Sequence, residues 1–235
     1  MSADLVLLHG FTQTGASWDG VVRELAGRYR ALAPDLGAGT WEGELDRLEA
    51  LAPERFTLAG YSMGGRLALA LALRIPQRVE RLVLISASPG LANDGERAAR
   101  RAADEAFADR IEAIGVEAFA RAWAAQPLFA GQPPEVAAAA HADRLRRSAA
   151  DHAAQLRNLG TGVMPPLWER LRELTMPVSA VVGARDTKFR AVAERMGFPT
   201  VVVPGAGHAV QLEAPAAVAA HLAVPRPLAV RWMRS

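Results

Sequence analysis

Three residues in this chain stand where serine, aspartate and histidine each have a chemical use. Ser62 lies in Gly60-Tyr61-Ser62-Met63-Gly64, a G-x-S-x-G spacing. Asp186 closes Val181-Val182-Gly183-Ala184-Arg185-Asp186, and His208 closes Gly205-Ala206-Gly207-His208. A serine hydroxyl is a poor base and nucleophile until an imidazole accepts its proton. The imidazole in turn needs a carboxylate to orient it and stabilise its charged form. Taken singly, the three are explained by a capping serine in a Gly-rich turn, an aspartate N-cap and a loop histidine. Together, in the order Ser, Asp, His, they point to a serine projected from a sharp strand-to-helix turn with its base behind it.

A fourth residue narrows the chemistry. Arg66 follows Ser62 by four positions, one helical turn, in a run otherwise made of Leu and Ala. A cation in the first turn of a helix opposes the helix dipole. An anion-binding role beside the serine explains its presence better than a solvated side chain does.

These residues need elements to hold them, and the hydrophobic pattern supplies them. Leu5-Val6-Leu7-Leu8 and Leu82-Val83-Leu84-Ile85 are continuous apolar runs, as expected of strands buried on both faces of a parallel sheet. Further strands are read at Ala31–Ala33, Arg55–Ala59, Val178–Val182 and Thr200–Val203. Helices are read at Trp18–Leu25, Glu42–Leu51 (with Leu45, Leu48 and Leu51 on one side), Arg66–Leu73, Lys188–Met196 and Ala214–Leu222. Alternating strands and helices predict an α/β fold with a mostly parallel sheet flanked by helices. In such sheets ligands gather beyond the carboxyl ends of the strands, and Ser62, Asp186 and His208 all fall there. Residues 91–171 show only helical patterns, broken at Gln126-Pro127, Gln132-Pro133-Pro134 and Met164-Pro165-Pro166. The expected division is therefore a core of residues 1–90 and 172–235 with an inserted helical cap, 91–171. His9-Gly10-Phe11 follows the first strand, where this fold draws an oxyanion donor, so the backbone N–H groups of Phe11 and Met63 are expected to form the hole. His9 itself reads as structural. Glu213 reads as first-turn helix charge, and Pro225–Ser235 as a tail without assigned function.

Composition bounds the rest. A chain of 235 residues with 51% hydrophobic content can fill one good core. A net charge of +2 does not suggest nucleic acid, and no phosphate-cradling glycine motif occurs. With no cysteine there are no disulfides or thiolate metal sites, and His141, His152 and His221 lack partners at metal-ligand spacing. Neither a signal peptide nor a long uncharged apolar run is evident, so a soluble cytoplasmic protein without a membrane span is expected.

The chain resembles the α/β-hydrolase superfamily over its whole length. Within it, the chain is similar to the 2-succinyl-6-hydroxy-2,4-cyclohexadiene-1-carboxylate (SHCHC) synthases of menaquinone biosynthesis. The resemblance rests on His9-Gly10-Phe11-Thr12, Gly60 to Arg66, Trp123-Ala124-Ala125-Gln126-Pro127-Leu128-Phe129, Leu156 to Gly162, and Gly183-Ala184-Arg185-Asp186-Thr187-Lys188-Phe189. It implies a cofactor-free lyase that eliminates pyruvate from a small polycarboxylate, with Ser62, His208 and Asp186 removing a carbon-bound proton. It also implies carboxylate binding by Arg66 and by two cap arginines, Arg100 (with Arg101 as the alternative) and Arg144. Tyr61 and Trp123 would be pocket walls. Arginine suits the task because its planar fork pairs bidentately with carboxylate. Two loops depart from the family pattern. Leu36-Gly37-Ala38-Gly39-Thr40 stands where Pro-Gly-His-Gly is usual, and Ala209 stands where Asn is common. The same triad would also serve an esterase or a C–C bond hydrolase, and the fold alone would serve a ligand receptor.

Overall fold

Alternate residues of the first strand serve opposite faces of one sheet. Val6 and Leu8 belong to one buried cluster, Leu5 and Leu7 to another. The computed structural model describes residues 3–224, so the tail Pro225–Ser235 lies outside the described residues. Six strands, β1 (Ala3–Leu8), β2 (Tyr29–Leu32), β3 (Phe56–Tyr61), β4 (Val79–Ile85), β5 (Val178–Gly183) and β6 (Thr200–Val203), pair in the order β2-β1-β3-β4-β5-β6. Every pairing is parallel. The central strands carry near-continuous apolar runs, Leu5–Leu8 in β1 and Leu82–Ile85 in β4, because helices cover both faces.

One face is covered by α2 (Trp41–Leu51), α3 (Met63–Arg74) and α7 (Thr187–Met196), which bring Leu45, Leu48, Leu67, Leu69 and Met196 onto Val6, Leu58 and Leu84. Trp18, α1 (Asp19–Glu24) and α9 (Pro215–Ala223) cover the other, placing Val21, Val218 and Leu222 against Leu5, Val83 and Val181. Leu51, expected on the buried side of α2, is the last residue of that helix and is 46% exposed. The helix expected from Ala214 is preceded by a separate turn of helix, α8 (Val210–Glu213), directly after His208.

Between β4 and β5 the described residues form helices and turns only: α4 (Asp94–Ala124), α5 (Pro134–Arg144) and α6 (Ala149–Leu159). The breaks at Gln126-Pro127 and Gln132-Pro133-Pro134 fall between α4 and α5, and Met164-Pro165-Pro166 follows α6. Two interruptions were not read from the sequence: Gly115, whose φ of 77° and ψ of 165° break α4, and Ser148, whose capping box with Asp151 starts α6. Ala108, Ile111, Phe119, Ala153 and Leu156 make a small core of their own, and Phe11 packs into it from the sheet side. Polar ties complete the seam. The Thr14 N–H donates to Asp143 at 2.8 Å, and Asn158 Nδ2 donates to Ala38 O at 2.7 Å. No helix among the described residues is long and apolar enough to cross a membrane.

Candidate active site

Ser62 is the single residue between the end of β3 and the start of α3, and its backbone is strained, with φ 50° and ψ −110°. A non-glycine residue there costs on the order of 1–3 kcal/mol and persists only where its surroundings dictate it. They do so here. Ser62 N–H donates to Ile85 O at 2.9 Å, and its own carbonyl accepts from Arg66 N–H at 3.1 Å. The positive φ falls on the serine and not on Gly60 or Gly64. Those glycines serve by giving space. A Cβ on Gly64 would lie 2.2 Å from Leu8 O, and one on Gly60 2.4 Å from Gly64 O. The motif therefore lets α3 press against the ends of β1 and β3 while the serine alone carries the bend.

His208 Nδ1 donates to Asp186 Oδ2 at 2.6 Å, because a carboxylate can only accept. That leaves Nε2 facing the Ser62 hydroxyl at 3.3 Å as an acceptor. Asp186 and His208 are both buried. The second carboxylate oxygen of Asp186 accepts from Phe189 N–H at 3.3 Å, so the aspartate is the N-cap of α7 as well as the partner of the imidazole. Phe189 lies against the His208 ring at 4.6 Å between centroids, and Tyr61 at 5.2 Å.

Glu213 is not a first-turn charge in solvent. It ends α8 with its side chain only 2% exposed, and its carboxylate accepts from Gly207 N–H and from Arg185 Nη2, both at 2.7 Å. Arg185 also donates to Gly205 O and Ala130 O, each at 3.0 Å. One ion pair thus holds the loops of Asp186 and His208 and ties them to the turn after α4. The sequence signal available for it was an arginine beside the aspartate and a glutamate five residues after the histidine.

Ser62 and His208 open onto a cavity of about 480 Å³. Its apolar wall includes Phe11, Tyr61, Trp123 and Phe129, and Met63 borders it at the first turn of α3. The first N–H groups of a helix have no partner within it, which makes the Met63 amide available to an anion. Phe11 meets Trp123 edge-on at 5.1 Å. Arg66 and Arg100 both line the cavity. Arg66 is buried, donates to Leu159 O at 2.8 Å and has no carboxylate partner among the described residues. Burial, and then the charge of Arg100, push its pKa down to about 10, so it stays charged at neutral pH. Arg100 Nε donates to the buried Asp104 at 2.7 Å, and the other Asp104 oxygen has no hydrogen bond.

Two of the arginines considered from sequence lie elsewhere. Arg101 donates to Gly162 O and is not on the cavity wall. Arg144 is buried off the wall, within electrostatic reach of Tyr61, and donates to Ala120 O at 3.3 Å; burial pushes its pKa down to about 10. His9 is a structural residue. Its Nε2 accepts from Leu36 N–H at 2.8 Å, which shapes the loop that departs from the family pattern, and burial pushes its pKa down to about 4. Gln155 on α6 donates to Leu36 O and Gly37 O and lines the cavity. Among the described residues no group of three or more His, Cys, Asp or Glu side chains is placed to hold a metal ion.

Residues 5–221 match the alpha/beta hydrolase family. The chain belongs to that family. A 2-succinyl-6-hydroxy-2,4-cyclohexadiene-1-carboxylate synthase from Enterobacter sp. (strain 638) is 33% identical over 93% of this chain and 90% of its own length. A Bacillus subtilis protein that carries the same name provisionally is 35% identical, over 91% of this chain and 86% of its own. The solved structure of MenH from S. aureus matches with a TM-score of 0.89 at 28% identity, covering 94% of this chain and 91% of that one.

Proposed function

We propose that this chain is a carbon–oxygen lyase that eliminates pyruvate from 2-succinyl-5-enolpyruvyl-6-hydroxy-3-cyclohexene-1-carboxylate, giving SHCHC in menaquinone biosynthesis. The observation that carries this reading is the unpaired, buried guanidinium of Arg66, with Arg100 beside it, in the wall of the cavity that holds Ser62. An esterase acting on neutral substrates has no use for a desolvated, unpaired cation at that place. A substrate with three carboxylates does. The synthase relatives, matched over nine-tenths of this chain, support the same assignment.

In this reaction Ser62 and His208 form the base, and Asp186 holds the imidazole tautomer that can accept a proton. The C–H bond at the succinyl-bearing ring carbon breaks and its electron pair forms a new C=C bond to the neighbouring ring carbon. The ring's existing C=C bond shifts one position along as the C–O bond to the enolpyruvyl group breaks, and pyruvate leaves as its enolate to be protonated. No acyl-enzyme forms. Negative charge developing on the substrate is met by the N–H groups of Phe11 and Met63 and by the arginines. Tyr61 and Trp123 wall the ring, and Arg144 lies off the wall within electrostatic reach of Tyr61. Residues 1–90 and 172–235 are the catalytic core, and 91–171 the cap that keeps water from the site.

Pyruvate release from the enolpyruvyl substrate tests this directly, with Ser62→Ala as the control. The expected result is release by the wild type and a loss of at least about 10³-fold in the variant. Efficient hydrolysis of p-nitrophenyl esters with no pyruvate release would assign the chain to the esterases instead.

A further inference from the structure

Two cations on the cavity wall, Lys188 and Arg195, are used by nothing described so far, and the second is held by its surroundings. Arg195 lies near the end of α7, and its guanidinium stacks 3.9 Å over the ring of Trp168. That ring is itself fixed, because Trp168 Nε1 donates to Gly90 O at 2.9 Å and Leu167 N–H donates to Pro89 O at 2.8 Å. Both Arg195 and Trp168 border the cavity. Arg195 makes no ion pair or hydrogen bond among the described residues, in contrast with the arginines at positions 157, 170 and 185, which are all engaged by carboxylates. Stacking on an aromatic face orders the guanidinium plane yet leaves its N–H edges open, and those edges are what pair bidentately with a carboxylate. The arginine is thus held in place before any ligand arrives, which lowers the cost of ordering it on binding.

Position along α7 says which part of a ligand it would meet. Asp186 caps the helix, so the triad stands at its N-terminal end. Lys188, Val192 and Arg195 follow at i, i+4 and i+7 on the face turned to the cavity. Nine residues from Asp186 to Arg195 correspond to roughly 13 Å along the axis. The charged groups of the wall are the cations Arg66, Arg100, Lys188 and Arg195 against Glu96 and Asp104, and Asp104 is occupied by Arg100.

We infer that Arg195, held flat by Trp168, is a carboxylate-binding subsite for the end of the substrate remote from the reacting carbon. This deepens the proposed function and rests on its polycarboxylate substrate. A remote contact of this kind binds ground state and transition state alike, so its loss is read in KM and not in kcat.

Arg195 is exposed, so substitution there leaves the core intact. For Arg195→Gln the expected result is a KM for the enolpyruvyl substrate raised about 10- to 50-fold at near-constant kcat. Arg195→Lys should recover part of that loss, keeping the charge without the planar fork. Calorimetric titration with propane-1,2,3-tricarboxylate supplies a readout that needs no turnover. The wild type should bind it several-fold more tightly than Arg195→Gln, with the difference shrinking at high salt. If the wild type releases pyruvate and Arg195→Gln has the same KM and the same affinity for the tricarboxylate, the subsite is overturned and the lyase assignment stands. If neither protein releases pyruvate but the difference in tricarboxylate affinity persists, the subsite stands and the lyase assignment falls.

Discussion

In the proposed reaction, specificity turns on Arg66. Its charge is retained at neutral pH against burial, with hydrogen bonds to Leu159 O and Met164 Sδ and the negative Asp104 nearby as compensation. A charge kept in that state is favourable only when an anion joins it. Arg66→Ala should therefore depress kcat/KM for pyruvate release by about 10²-fold or more, while turnover of a neutral p-nitrophenyl ester falls no more than a few-fold. Steady-state kinetics on both substrates check this, and equal losses would remove carboxylate binding from its role. Ser62 and His208 do not discriminate in that way. They set where a proton moves, whichever substrate is bound.

At the scale of elements, the strand-to-helix junction of β3 and α3 shows what the glycine pattern is for. The approach of α3 to the carboxyl ends of β1 and β3 brings Gly64 against Leu8 O and His9 O, at distances that no side chain fits. Gly64→Ala is expected to destabilise the fold by about 3 kcal/mol and to displace Ser62 from His208, because backbone and not a flexible side chain must yield. Gly39→Ala, where nothing lies within 4 Å, should be neutral or slightly stabilising. Urea denaturation midpoints of the two variants test the contrast, and similar midpoints would show that the junction can shift at little cost. A second junction, the Arg185–Glu213 pair, joins three segments distant in sequence and so fixes the histidine loop from outside the sheet.

Over the whole molecule, one buried and one half-buried histidine link stability to pH. His9 and His221 are each neutral at neutral pH, with pKa values pushed down by burial to about 4 from the ordinary 6.5. His9 accepts from Leu36 N–H, and His221 is packed between Arg81 and Ser179. A lowered folded-state pKa means that the unfolded chain takes up protons first as pH falls. Their stabilisation is then fully present above about pH 6.5 and is lost progressively toward pH 4. The Tm should decline between pH 6.5 and 5, before the carboxylates titrate, and His221→Gln should flatten that decline. A Tm independent of pH across this interval, or an unchanged slope in the variant, would count against the linkage.

Strand runs, helix starts and the order of Ser62, Asp186 and His208 were legible in the sequence because they are set by local periodicity and by turn chemistry. Gly60 and Gly64 marked the junction too, but only the packed structure assigned the strain to Ser62 and the lack of space to the glycines. Arg66 was readable as an anomaly, a cation in an apolar helix. Arg144 was not separable from Arg100 by spacing, because which face of a cap helix meets the cavity depends on how α4, α5 and α6 pack. The breaks at Gly115 and Ser148 were likewise missed, since a single glycine or a serine in an Ala-rich run does not oblige a helix to end. Glu213 and Arg195 make the same point from the other side: each is an ordinary helical charge in sequence, and long-range contacts alone bring one to Arg185 and lay the other on Trp168. The sequence by itself determined the sheet, the triad and the class of chemistry, since these depend on residue type and chain order. Only the tertiary structure decided which cations share the cavity with the serine, since burial and proximity are properties of the packed chain.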